Sequence, residues 1–188
     1  MQFWALLWHL SSLTSEPIVV SGLGLVRFLP ILIFSLVAGA AADVLNRRLI
    51  MFFTQSTLLL VAIGLGLLSL TGQIQIWHIY LLTGIQAIAS SFDMPARQSL
   101  TPNLVPRGLY ANAFSLQSIA FSTGSIVGPA LSGIVIASLG LHWVYFINAI
   151  SYLAVLVALA LIGDVPQSGI SSTSPRVINL DSIREGIQ

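Results

Sequence analysis

Long apolar stretches separated by short polar connections run along most of this chain. They cover residues 1–13, 18–42, 49–70, 76–92, 111–139 and 143–162. A membrane crossing takes ~20 residues, so the last five are of spanning length. The first is too short to cross a ~30 Å hydrocarbon core. Lipid offers the backbone no hydrogen-bond partner, so each stretch is expected to be a helix. The alternating pattern that a barrel strand needs is absent. The expected fold class is an all-α polytopic membrane protein, with its bundle in residues 1–163. Residues 1–13 lack the basic start and small-residue cleavage site of a secretory signal. They read as the outer half of a first span whose inner half is missing.

The polar connections set the orientation. Arg47 and Arg48 follow the second stretch, Arg97 and Arg107 the fourth, and Arg176 and Arg184 the sixth. The other connections carry no arginine or lysine. Six of the seven basic residues therefore fall on one side, which predicts that this side is cytoplasmic. Trp77, Tyr80, Trp143 and Tyr145 then fall near the outer boundary, where amphipathic rings settle. The implied location is the cell (inner) membrane, multi-pass, with a cytoplasmic carboxy-terminal tail. In that tail, residues 164–188 read as a linker, serine-rich over 169–175. An amphipathic helix then begins, capped by Asn179 or Asp181, with Leu180, Ile183 and Ile187 on one face. The chain stops inside that pattern, which predicts that it is a fragment.

Composition strengthens the membrane reading. Only 7% of residues are charged, against about 25% in soluble domains. With no cysteine, disulfide and thiolate chemistry are excluded. The arginines form no stripe that could track phosphates, so nucleic acid is not an expected partner. No H-E-x-x-H, P-loop or G-x-S-x-G pattern occurs, and nothing supports an enzyme, a cofactor or a metal. His9, His78 and His142 all map toward the outer side and read as interfacial polar rings.

Candidate chemistry lies in four places. The first is Gly39-Ala-Ala-Ala-Asp43-Val-Leu-Asn-Arg47-Arg48, a short charged connection between two greasy spans. Asp43 and Arg47 can pair at a spacing of four on a helical turn. Topology alone explains the arginines but does not require the acid, since acids contribute little to orientation. The second is Arg27, ~14 Å from the outer edge of its span and so near the midplane. A central arginine costs about 2.5–3.5 kcal/mol, so it should face a partner or a wet cavity. Pro30 follows in the same span and removes a backbone donor.

The third place is span four, where Thr83, Gln86, Ser90, Asp93 and Arg97 share one helix face. Span five carries a second polar stripe, Asn112, Ser115, Ser118, Ser122 and Ser125, and also Gln117. The stripes should face each other, other spans or water, as a transport pathway or as interhelical hydrogen bonds. Arg27, Gln86 and Gln117 are the candidate substrate or coupling residues. Asp93 and Arg97 lie at the depth of Asp43 and Arg47, which predicts a charge cluster of these four. The fourth place is Gly124, Gly128, Pro129 and Gly133. Gly124 and Gly128 offer a small-x-x-x-small face for close helix approach, and Pro129 lets span five bend.

The Gly39–Arg48 spacing, G-x-x-x-D-x-x-x-R-R, resembles the cytoplasmic signature between spans two and three of the major facilitator superfamily. It departs at Val44, where arginine is usual, and at Asn46, where glycine is common. The Gly124–Gly133 pattern resembles the span-five signature of exporters. Phe92-Asp-Met-Pro-Ala-Arg-Gln98, Leu104-Val-Pro and Ala111-Asn-Ala resemble the branch holding siderophore and macrolide efflux proteins. The resemblance implies the amino-terminal six-span half of such a fold, two inverted three-helix repeats with the first span truncated. It implies that Asp43, Arg47 and Asp93 act as a charge relay locking the outward-facing state. Gly39, Arg48 and Arg97 would complete that latch, and the Gly128-Pro129 bend would meet the missing carboxy-terminal six-span half. The implied activity is proton-coupled efflux, by antiport, of small organic molecules of drug or siderophore type. The competing reading is a half-size membrane binding or assembly module with no transport activity of its own.

Overall fold

The computed structural model describes residues 1–162, apart from the Arg107 side chain, and the linker and helix expected in 164–188 lie outside them. Six α-helices and no strand occur among the described residues. They are α1 (Gln2–Leu13), α2 (Pro17–Val44), α3 (Arg47–Leu70), α4 (Ile76–Leu104), α5 (Tyr110–Ser138) and α6 (Leu141–Leu161). A single 3-10 turn, Arg107–Leu109, precedes α5. By length and composition α2, α3, α5 and α6 can each cross a membrane. The 12 residues of α1 make only ~18 Å of helix.

Local chemistry fixes the helix ends. Pro17 sits in the first turn of α2, where its missing N–H costs nothing. The Asn46 side chain caps α3, accepting from the amides of Arg48 (3.0 Å) and Leu49 (3.4 Å). Gln75 and His78 form a reciprocal cap on α4. The α3–α4 and α5–α6 turns pass through Gly72 (φ 67°) and Gly140 (φ 100°), where a side chain would be strained.

Two expected boundaries move. The Gly39–Arg48 segment is mostly helix, because α2 continues through Val44 and only Leu45 and Asn46 separate it from α3. Three successive alanines favour that extension, and Ala41 and Ala42 are buried. The fourth helix runs past Phe92, where the apolar stretch ends, through Pro95 and Pro102 to Leu104. Burial decides this. Ala96 and Leu100 pack with Met51 and Leu159 in a small apolar cluster.

Packing is uneven. Helix α3 lies against both α4 and α6, and α2 lies against α4. The short α1 touches α2, α4, α5 and α6, with Ala5, Leu6 and Leu10 fully buried. These join Leu23, Leu65, Ile79, Val144 and Tyr145 in the main core. That core sits at the end of the bundle holding the α1–α2, α3–α4 and α5–α6 connections. The Met51 cluster closes the opposite end.

Apolar burial drives helices together little in lipid, so close packing must do it. A tight approach of this kind lies on α3. A Cβ at Gly66 would lie 2.8 Å from the Phe146 ring of α6, and Ala62 one turn earlier is fully buried. The glycines of α5 behave otherwise. Gly124 and Gly133 face open space, and only Gly128 meets a neighbour, the start of α1. Of the close helix approach expected at Gly124 and Gly128, the described residues supply only the start of α1 against Gly128. Both α2 and α5 stay helical through Pro30 and Pro129.

The four aromatic residues expected near the outer boundary all lie in the first turns of α4 and α6, and two of them turn inward. Trp77 and Trp143 are exposed, but Tyr145 is fully buried, with its hydroxyl 3.2 Å from His9 Nδ1. Tyr80 donates to the Val19 carbonyl of α2. Both hydroxyls are taken by the protein interior.

Replacing Gly66 with alanine should force α3 and α6 apart and cost about 1–3 kcal/mol. Melting of the protein in detergent should fall for Gly66→Ala and stay unchanged for Gly64→Ala. The Cβ of the latter would meet only Leu82, at 3.9 Å.

Candidate functional site

A cavity of about 610 Å³ opens between α1, α2, α4 and α5. Its longest wall is the polar face of α4, where Thr83, Gln86, Ser90, Asp93 and Arg97 all line it. Their spacing of three and four keeps them on one side of the helix. Arg27 faces it from α2, and Gln117 from α5. The structure thus brings Arg27, Gln86 and Gln117 to one space. The serine stripe of α5 is not part of it. Asn112, Ser115, Ser118, Ser122 and Ser125 are exposed and turn away from the α4 stripe.

Arg27 meets the cavity with no carboxylate partner among the described residues. Its guanidinium lies over the Phe3 ring, 4.2 Å from the centroid. That stacking leaves its N–H edge open to the cavity. Gln86 is held from behind. Its Oε1 accepts from Gln2 Nε2 at 2.9 Å, and Gln2 Oε1 accepts from Asn148 of α6.

Asp93 is the partly buried acid of the site, its side chain 13% exposed. Oδ1 accepts from Thr54 Oγ1 (2.7 Å) and Gln55 Nε2 (2.8 Å), both on α3. Oδ2 pairs with Arg97 at 3.1 Å, one turn along α4. A carboxylate in a low-dielectric interior needs such donors, and charged hydrogen bonds are the strong ones.

The expected cluster of Asp43, Arg47, Asp93 and Arg97 does not assemble as a unit. Asp43 is exposed on the last turn of α2 and forms no ion pair among the described residues. The helix break at Leu45 and Asn46 destroys the four-residue spacing that would have joined it to Arg47. Arg47 reaches main chain instead. Its Nε donates to the Ala42 carbonyl (3.0 Å) and its Nη1 to that of Ser99 (3.1 Å), tying α3 to α2 and α4. Arg48 donates to the carbonyls of Leu159 (3.0 Å) and Ala160 (3.3 Å) at the end of α6. A cation there also meets the negative end of the helix dipole. Gly39 faces open space, where a Cβ would meet nothing.

Sequence reasoning missed four members of these networks, Gln2, Thr54, Gln55 and Asn148. Gln2 and Asn148 are single polar residues among apolar neighbours, and Thr54 and Gln55 open a four-residue polar run inside a membrane-length stretch; those interruptions were the available signal. The three histidines do not come together. His9 is bonded to Tyr145, His78 caps α4, and His142 lies beside Gly140. No group of three metal-ligating side chains occurs among the described residues.

Comparison with known proteins matches residues 1–173 to the family model described as transmembrane secretion effector. The uncharacterized MFS-type transporter YfiS of Bacillus subtilis is 30% identical over 94% of this chain and 41% of its own length. Macrolide efflux protein A of Streptococcus pyogenes is 29% identical over 94% of the chain and 42% of its own. Enterobactin exporter EntS of Salmonella choleraesuis is 29% identical over 70% and 32%. The chain therefore spans less than half the length of these curated relatives. No solved structure matches it. With six helices, a signature-bearing α2–α3 junction and this match over nearly its whole length, the chain belongs to the transmembrane secretion effector family of the major facilitator superfamily.

Proposed function

We propose that this chain is the amino-terminal half of a secondary active exporter. It would carry small organic molecules of drug or siderophore type out of the cell, driven by proton antiport. Residues 1–163 form the transmembrane bundle in this reading, and 164–188 lead into the cytoplasm. The observation that carries it is a largely apolar cavity with one polar wall, the α4 face, and an arginine opposite. A pocket of ~300–1,000 Å³ suits a small organic molecule. The printed names of the efflux relatives favour export over uptake.

Transport would proceed by alternating access, this half rocking against a carboxy-terminal six-span half. The exposed apolar faces of α2 and α5 are the surfaces available to that partner and to lipid. The end bearing Arg47, Arg48 and Arg97 is cytoplasmic by the arginine rule. There the latch has a fixed part and a presented part. Asp93 and Arg97 are fixed by α3, and Arg47 and Arg48 staple the helix ends. Asp43 and Gly39 stand at the open surface, where the other half would close.

Asp93→Asn in the full natural protein should lower dye efflux roughly tenfold, by loss of a charged hydrogen-bond set, with membrane insertion intact. Asp43→Asn should lower efflux without shifting the melting temperature, since Asp43 is exposed and forms no ion pair among the described residues. Full efflux at matched protein level removes Asp43 from the latch. A protonophore added to cells with ATP maintained should abolish efflux, and efflux that persists would exclude proton coupling.

A further inference from the structure

One corner of the cavity is built almost entirely from hydrogen-bond donors. Gln86 begins it. Gln2 is 4% exposed and connects Asn148 of α6 to Gln86 of α4. Each amide donates to the next oxygen, so Gln86 spends its acceptor on Gln2. Its own N–H groups are left for the cavity. A hydrogen-bonded chain anchored on the buried Gln2 fixes the direction of the last amide.

Thr83 lies one turn before Gln86 on the same face. It is 2% exposed, and its hydroxyl has no partner among the described residues. An unpaired buried hydroxyl is costly, and it lines the cavity wall. Arg27 stands opposite at the same level, because the neighbouring Val26 packs beside Gly84. Its guanidinium rests on Phe3 and meets no acid. The acid that shares the cavity, Asp93, is already consumed by Thr54, Gln55 and Arg97. A guanidinium, an unpartnered hydroxyl and an amide thus line one cavity, and no acid pairs with the guanidinium among the described residues.

We propose that Arg27, Thr83 and Gln86 form a recognition corner for a carboxylate group of the transported molecule. Gln2 and Asn148 are positioning residues that aim the Gln86 amide. A planar guanidinium matches a carboxylate in two parallel hydrogen bonds, and the hydroxyl and amide supply two more donors. The corner sorts substrates by charge, while the apolar remainder of the cavity tolerates variation in the body of the molecule. This inference rests on the transport reading above and names the substrate class within it.

The test measures equilibrium binding of dansylglycine and its neutral twin dansylglycinamide to the full natural protein in detergent, by fluorescence anisotropy. The carboxylate probe should bind about tenfold tighter than the amide probe. Arg27→Gln should bring the two to parity, as Arg27 is exposed to the cavity and supports no helix contact beyond Phe3. Asn148→Ala should weaken the carboxylate probe about threefold and leave the neutral probe unchanged. Equal loss of both probes in that variant would show mere structural damage and overturn the positioning role. Parity of the probes in the unaltered protein, or a preference that survives Arg27→Gln, overturns the recognition corner. Binding needs no gradient. Selective binding without efflux overturns only the transport reading, and efflux without selective binding overturns only the corner.

Discussion

A carboxylate withdrawn from water in an apolar helical bundle needs donors around it, and the partly buried Asp93 imposes that condition on its neighbours. Thr54 and Gln55 of α3 answer it on one oxygen and Arg97 on the other. The result is more than a local bond. It sets the register of α4 against α3, and so decides which face of α4 turns toward the cavity. Thr83, Gln86 and Ser90 follow from that rotation, since they share the face of Asp93. The main core at one end and the Met51 cluster at the other then close the bundle around a polar space.

The helices and much of the site could be read in the sequence, because hydropathy and helical periodicity are local signals. Arg27 had to face a cavity or a partner, and it faces the cavity. The α4 stripe emerged from spacing alone. Boundaries were less legible where burial overrode hydropathy. The helix around Ala96 and Leu100 continues because those residues pack against Met51 and Leu159, which no window over α4 can reveal. The α2–α3 junction failed for a related reason. A four-residue spacing implies pairing only if the helix is unbroken, and Asn46 starts a new one.

The glycines teach a different limit. Gly124, Gly128 and Gly133 make a conspicuous pattern, yet only Gly128 is covered here. Gly66 and Ala62 make a quieter one, and they seat the Phe146 ring at the α3–α6 contact. A small residue permits close approach, but what approaches depends on the rest of the fold. The same holds for polar residues. The serines of the α5 stripe, Ser115, Ser118, Ser122 and Ser125, are exposed, whereas the single Asn148 joins the buried Gln2 in a network.

Arg47 and Arg48 carry one more consequence. Both reach backbone carbonyls, of Ala42 and Ser99 in one case and of Leu159 and Ala160 in the other. Any residue at those four positions offers the same oxygen. The contacts that tie α3 to three other helices therefore do not constrain the side chains they touch. These four bonds by themselves ask for no paired substitution between the arginines and the residues whose carbonyls they use. Losing an arginine breaks the bond, whereas changing Ala42, Ser99, Leu159 or Ala160 leaves the oxygen in place.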